Sequence, residues 1–194
     1  MVENAYMNIV PIEDSIEEFH VFQSVTQRYC TPRFCVDGGG EKGEDHCILF
    51  HSNRICLVTL AFSHPIVREK KEISKIDFQV SANIDRLKNK VSGKGKHGAQ
   101  FLQPNSPLCY IECVDSSKYT IHSCVKGKLV EINNALIENP KLLIEKPDSE
   151  GYIAIVLPSI SNSNQQREEL LTLEEYNEVL RKRSMSVGLD MTNC

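Results

Sequence analysis

Residues 124–158, CVKGKLVEINNALIENPKLLIEKPDSEGYIAIVLP, contain two short runs of strand chemistry, Gly127–Asn133 and Tyr152–Leu157. Pro140, Pro147 and Pro158 fall between or just beyond them, where a hydrogen-bonded ladder must stop because proline has no N–H to donate. The stretch therefore reads as two separate strands joined by a turn-rich connection.

Upstream the same pattern repeats. His46–Phe50 and Ile55–Leu60 flank His51–Arg54, a tight-turn sequence, and so form a hairpin. In Ile73–Val80 the alternate positions Ser74, Ile76, Phe78 and Val80 carry most of the apolar groups, the period of a half-buried strand. Ala99–Leu102, Leu108–Cys113 and Tyr119–His122 follow, with Pro104 and Pro107 as interruptions. Many short strands in one chain predict a mostly β domain, a barrel or a sandwich.

The chemistry changes after Pro158. Ser159–Gln166 is polar and reads as a linker, and Leu173, Tyr176, Val179 and Leu180 then recur at helical spacing. Thr172 and Glu175 have the spacing of a capping box, and Arg181, Lys182 and Arg183 suit a helix C-terminus. The expected organisation is an acidic arm at 1–27, with a helical turn at Ser15–Phe22, and a β domain at 28–158. A linker at 159–166, a docked helix at 167–183 and a frayed tail at 184–194 complete it.

Composition narrows the function classes. Of 194 residues 41% are hydrophobic and 25% charged, with 22 basic against 26 acidic side chains and a net charge of −4. That balance excludes a polycation and a wholly disordered acidic chain. The opening MVENAYMNIVPIEDS lacks the basic and apolar regions of a secretory signal. The longest apolar runs fall far short of the roughly 18 residues that a membrane span needs. The expectation is a soluble intracellular protein with no membrane partner, whose eight cysteines are reduced.

One charged cluster stands out. Arg86, Lys88, Lys90, Lys94 and Lys96 lie within eleven residues, and no Asp or Glu occurs from Arg86 through Ile111. Gly93, Gly95 and Gly98 loosen the backbone between and after the lysines. Such a loop suits an acidic protein surface or a phosphate backbone, and these five residues are the expected partner-binding site. GKGK is not a Walker loop, and no aromatic residue interleaves with the lysines to stack bases.

Other chemistry is less well supported. His46, Cys47 and Cys56, or Cys109, Cys113 and His122, contain metal-ligating residue types, but no CxxC pair is present. Cys47, Cys56, Cys109 and Cys113 fall inside expected strands, where a thiol serves as a small buried hydrophobe. Neither GxSxG nor HExxH occurs, and nothing selects one Cys–His pair as nucleophile and base. The expectation is no enzyme, no metal and no cofactor.

Gly127, Val130, Asn133, Asn139-Pro140, Pro147, Gly151 and Tyr152 fill the places of a motif in the glycine-cleavage H-protein and lipoyl-carrier domains, which the stretch resembles. The segment ELLTLEEYNEVL (169–180) is also similar to the C-terminal helix of the H-protein. The resemblance implies a barrel-sandwich hybrid, two small curved sheets packed face to face. It also implies that Gly127 lies where strands approach closely. The modified lysine of that family lies eight residues before the place of Cys124, at Ser116 here, and the nearest lysine is Lys118. A lipoyl-type carrier working through Lys118 is the third functional alternative.

EDHCILFHSNRICLVTLAFSHP (44–65), LKNKVSGKGKHGAQFL (87–102), SCVKGKLVEIN (123–133) and EKPDSEGYIAIVLP (145–158) resemble the Abitram family, also called Simiate. That resemblance implies a non-enzymatic, actin-binding transcription modulator of nuclear speckles, cytoplasm and neuronal projections such as growth cones, filopodia and dendrites. The alternative is an adaptor that uses the same basic loop to touch RNA, DNA or nuclear ribonucleoproteins.

Overall fold

The computed structural model describes residues 24–190. The expected turn at 15–22 and Cys194 lie outside the described residues. Ser24 caps a short helix, α1 (Val25–Tyr29), through a reciprocal pair of bonds with Gln27. The strands of the first half are β1 (Cys30–Cys35), β2 (His46–His51), β3 (Cys56–Leu60), β4 (Ile73–Asp77), β5 (Gln79–Ser81) and β6 (Ile84–Asp85), with the helical turn α2 (Pro65–Arg68) before β4. Then come β7 (Phe101–Leu102), β8 (Pro107–Cys113), β9 (Lys118–His122) and β10 (Gly127–Ile132). The turns α3 (Ala135–Glu138) and α4 (Leu142–Glu145) lead to β11 (Ala154–Leu157), α5 (Ser163–Glu168) and α6 (Leu173–Asp190).

The strands form a six-stranded sheet in the order β1-β2-β3-β11-β10-β7 and a three-stranded sheet β4-β8-β9, with β5 and β6 as a separate pair. Every strand pairing is antiparallel. Ile48, Val58, Leu129 and Val156 of the larger sheet share one buried cluster with Ile76, Leu108, Ile111 and Ile121 of the smaller. The core thus lies between two facing sheets, as in the expected barrel-sandwich hybrid, and the hydrogen-bonded ladders do not close into a barrel.

β2 shows how both faces of the larger sheet are used. Ile48 and Phe50 enter the core between the sheets, while Cys47 and Leu49 pack on the other face with Phe34, Ala61 and Tyr176. A strand covered on both sides reads as a continuous apolar run, which explains CILF. Tyr176 of α6 is fully buried there. Its ring stacks on Phe34 with centroids 4.3 Å apart, and its hydroxyl donates to Asp45 at 2.7 Å. The Thr172–Glu175 capping box forms, with the Glu175 amide 3.3 Å from Thr172 Oγ1 and the Thr172 amide 2.8 Å from Glu175 Oε2.

Gly127 needs its hydrogen side chain: a Cβ there would lie 2.7 Å from the Leu157 carbonyl oxygen and 2.8 Å from Val156 Cγ1. Asn133 ends β10 by donating to the Glu150 and Tyr152 carbonyls, both at 2.7 Å, so it ties the connection to the strand it serves.

Several expected boundaries shift. Cys30–Cys35 is a strand despite Pro32, because all six of its residues pair with β2 at the sheet edge, where proline is tolerated. The run Ile73–Val80 breaks at Phe78, where the Asp77 carboxylate accepts from the Gln79 amide at 2.9 Å. The segment 159–166 is not wholly a linker, since α5 begins within it. α6 runs to Asp190, so Arg183 is not at its end and 184–190 is helical rather than frayed.

Candidate functional site

The basic loop leaves β6 at Asp85 and returns to β7 at Phe101. Its base is fixed by three side chains. Arg86 donates to the Pro107 carbonyl from Nε at 3.0 Å and Nη2 at 2.8 Å, and to Gln100 Oε1 at 2.6 Å. Asn89 donates to the Leu129 carbonyl at 2.8 Å and accepts from the Gln100 amide at 2.8 Å. Gln100 completes the knot through a bond to the Asp85 carbonyl at 2.8 Å.

Beyond that base the chain makes a small antiparallel bridge between Ser92 and His97. Their backbone bonds are 3.0 and 2.9 Å. Gly93 (φ 64°), Lys96 (φ 52°) and Gly98 (φ 78°) occupy the left-handed region, which explains the glycines at two of these three positions. Lys128, reaching up from β10, donates to the Gly95 carbonyl at 2.7 Å and steadies the tip.

The five expected partner-binding residues therefore divide. Arg86 is corrected: it is only 5% exposed, burial lowers its pKa from the usual value, and its donors are spent on the protein. It positions the loop and forms part of the wall of the cleft beside it. Lys88, Lys90 and Lys94 are exposed and Lys96 is half-exposed. The Lys88 side chain is 81% exposed and 3.5 Å from Asp85, a pair too open to hold it firmly.

A cleft of about 410 Å³ lies beside the loop, lined in part by Ile84, Asp85, Lys88 and Phe101. Phe101 is 57% exposed and Ile84 and Leu87 are also uncovered. Lys126 stands 6.0 Å over the Phe101 ring. Exposed apolar side chains thus lie beside ammonium groups on this side of the loop. Sequence reading missed Ile84, Phe101 and Lys126; the outward turn of Phe101 follows from Leu102 facing the core, a two-residue alternation too short to read alone.

The hairpin tip between β8 and β9 is the place that the resemblance assigns to the modified lysine of lipoyl carriers. Ser116 occupies it at φ 67°. Lys118 lies back in β9, directly across from Glu112, and its ammonium is 2.7 Å from that carboxylate. The residues do not fit a tethered lipoyl arm, since the tip offers a hydroxyl, Lys118 is ion-paired with Glu112, and the Lys71 ammonium beside the tip is held by Asp115 at 2.7 Å.

The other candidate groups are dispersed. Cys47 packs under α6, whereas Cys56, Cys109 and Cys113 are in the core between the sheets. Burial pushes the thiols of Cys47 and Cys56 up to about 12 and that of Cys109 higher still, so they are inert thiols. Among the described residues no group of three or more His, Cys, Asp or Glu side chains is arranged to hold a metal ion. No described helix is long and apolar enough to cross a membrane.

Comparison with known proteins places this geometry. The glycine cleavage H-protein family matches residues 66–183. The chain is 51% identical over 163 residues to Protein Abitram of Xenopus tropicalis, covering 84% of this chain and 89% of that one. It is 40% identical to Protein Abitram of Drosophila melanogaster, covering 91% and 78%. For Protein Abitram of Dictyostelium discoideum the identity is 40%, with coverage of 70% and 74%. Among solved structures it is similar to a glycine cleavage system H protein from Mycobacterium marinum, at 15% identity and TM-score 0.48, covering 74% of this chain and 92% of that one.

Proposed function

The chain belongs to the Abitram family and, through residues 66–183, to the glycine cleavage H-protein family, and we propose that it is a non-enzymatic binding module that engages actin through its basic loop. The observation that carries this reading is the division of labour in the loop. Arg86 and Asn89 lock its base to the sheets, while Lys88, Lys90 and Lys94 extend into solvent beside an uncovered Phe101. An acidic filament surface supplies the complementary charge, and the apolar spot supplies contact area once charge has brought the partners together. The carrier function is absent from this proposal because Ser116 stands at the tip. We place its work in the nucleus, at speckles, and in the cytoplasm and cell projections.

Filament co-sedimentation of the wild type and a Lys88→Glu, Lys90→Glu, Lys94→Glu, Lys96→Glu variant tests the reading. Surface charges act over a screening length of about 8 Å at physiological salt. The wild type is expected to bind at low salt and to weaken as salt rises, and the variant to bind at least about tenfold less. Equal binding by the variant overturns the site. Wild-type binding to RNA or DNA with a steep salt slope, and none to filaments, replaces actin with the nucleic-acid alternative.

A further inference from the structure

We propose that Cys35 and Cys124 are a site of reversible oxidation, converted to an intramolecular disulfide by hydrogen peroxide or an organic peroxide. Cys35 ends β1 and Cys124 lies in the link between β9 and β10, 89 positions later. The fold brings them together under the Asp37–Gly40 turn. A Cβ on Gly38 would be 3.2 Å from the Cys35 sulfur and 3.1 Å from the Cys124 sulfur, so the turn crosses both sulfurs at a residue without a side chain. Cys124 holds φ 57°, a conformation uncommon outside glycine and asparagine.

The two thiols are chemically unequal. The neighbouring Cys124 thiol, which donates to the His122 carbonyl at 3.7 Å, is the main influence that holds the Cys35 pKa below the usual thiol value despite burial and the nearby Asp45 and Asp37 carboxylates. The proximity of Cys35, with burial, raises Cys124. Cys35 is partly buried and Cys124 buried. This is the arrangement of an attacking thiol beside a resolving one. His46 is not the base, since its Nδ1 faces the Glu44 carbonyl at 3.1 Å and its Nε2 faces the His122 amide at 3.3 Å.

The chemistry balances without further cofactors. The Cys35 thiolate attacks one peroxide oxygen, the O–O bond breaks, and the departing oxygen leaves as water or alcohol after taking up a proton. The resulting sulfenic acid is attacked by Cys124, the S–O bond breaks, and its oxygen leaves as water. Two thiols lose two electrons and two protons to one peroxide. A dithiol reductant reverses the bond by exchange. The disulfide ties the edge strand β1, against which Leu171 bridges at Phe34, to the link between the sheets.

The reduced full-length chain is treated with equimolar hydrogen peroxide and followed by intact mass and by peptide mapping. The expected product is about 2 Da lighter, has lost two free thiols, contains a peptide pair joined through Cys35 and Cys124, and reverts with dithiothreitol. Cys35→Ser is expected to slow thiol loss at least about tenfold. In Cys124→Ser the Cys35 sulfenic acid persists and adds dimedone. Cys35→Ser, at a partly buried position and checked by circular dichroism, decides the question where Cys124→Ser misfolds. A wild type that keeps all its thiols, a bond between other cysteines, or thiol loss in Cys35→Ser at the wild-type rate overturns the proposal.

Discussion

Arg183 Nη1 donates to Asp45 Oδ2 at 2.6 Å, joining the last helix to the residue before β2 across 138 positions of sequence. Asp45 is fully buried, and it also accepts from Tyr176, Ser63 and the Asp37 amide. The second Arg183 nitrogen reaches Asp37 at 2.7 Å. Arg183 follows Tyr176 by seven residues, two helical turns, so one face of α6 delivers both groups to the same carboxylate.

Arg183→Leu strands the Asp45 charge with neutral donors. Breaking a buried pair costs about 3–5 kcal/mol, reduced to about 2–3 here because the Arg183 side chain is 19% exposed and partly screened. Burial raises the Asp45 pKa, but the bonds from Arg183, the Asp37 amide and Tyr176 outweigh it and hold the carboxyl below its usual value. A depressed carboxylate stabilises above its unfolded pKa, near 3.9, and that stability is lost as pH falls through the folded value. Urea unfolding is therefore expected to show a large difference between wild type and variant at pH 7. The difference shrinks as Asp45 protonates.

His46 and His64 predict a second acid effect. Burial first, and then neighbouring His64 and His122, lower His46 to about 3; burial lowers His64 to about 4. The unfolded chain takes up protons near pH 6.5 that the folded chain refuses, so stability falls as pH drops from about 6.5 to about 4. Each histidine contributes a slope of about 1.4 kcal/mol per pH unit within that window. His64→Asn keeps an acceptor for the Ile66 amide, which His64 Nδ1 now caps at 3.2 Å, and removes one titrating group. Its unfolding free energy is expected to vary less steeply between pH 6.5 and 4; an unchanged slope assigns the acid sensitivity elsewhere.

Gly127→Val places methyl groups against the Leu157 carbonyl and Val156. Because a backbone atom cannot rotate away, overpacking is expected to cost about 1–3 kcal/mol, read as a lower thermal midpoint. A midpoint equal to that of the wild type contradicts the close approach of β10 and β11.

Arg86→Lys separates positioning from contact. Lysine keeps the charge but cannot reproduce the fork that holds Pro107 and Gln100. The expected loss is about 1.5–3 kcal/mol of stability, with faster amide exchange at Asn89 and Gln100. Full stability combined with lost partner binding would return Arg86 to the contact surface.

The β2–β3 hairpin and the capping box were legible because each depends on local chemistry, alternation around a tight turn and a three-residue spacing, whereas the close packing at Gly127 was legible only through the family resemblance. β1 was not, because CTPRFC carries Pro32 and buries only Phe34 fully; its extended form comes from pairing with β2. α5 was hidden for a related reason, since SNQQRE has no apolar period.

The candidate site divides along the same line. The linear run of residues determined the positive charge of the loop, its glycine-rich flexibility and the mostly β class, since each is a property of composition or near-neighbour spacing; the family resemblance added the serine at the carrier position. Tertiary structure alone decided that Arg86 turns inward while Lys88 stays out, because the Pro107 carbonyl and Gln100 that capture it lie 21 and 14 residues away. It also decided that the Arg183 side chain reaches from its helix to Asp45, and that Cys35 and Cys124 lie under one turn. Burial and charge pairing are set by what the fold brings near, and distance along the chain carries no record of it.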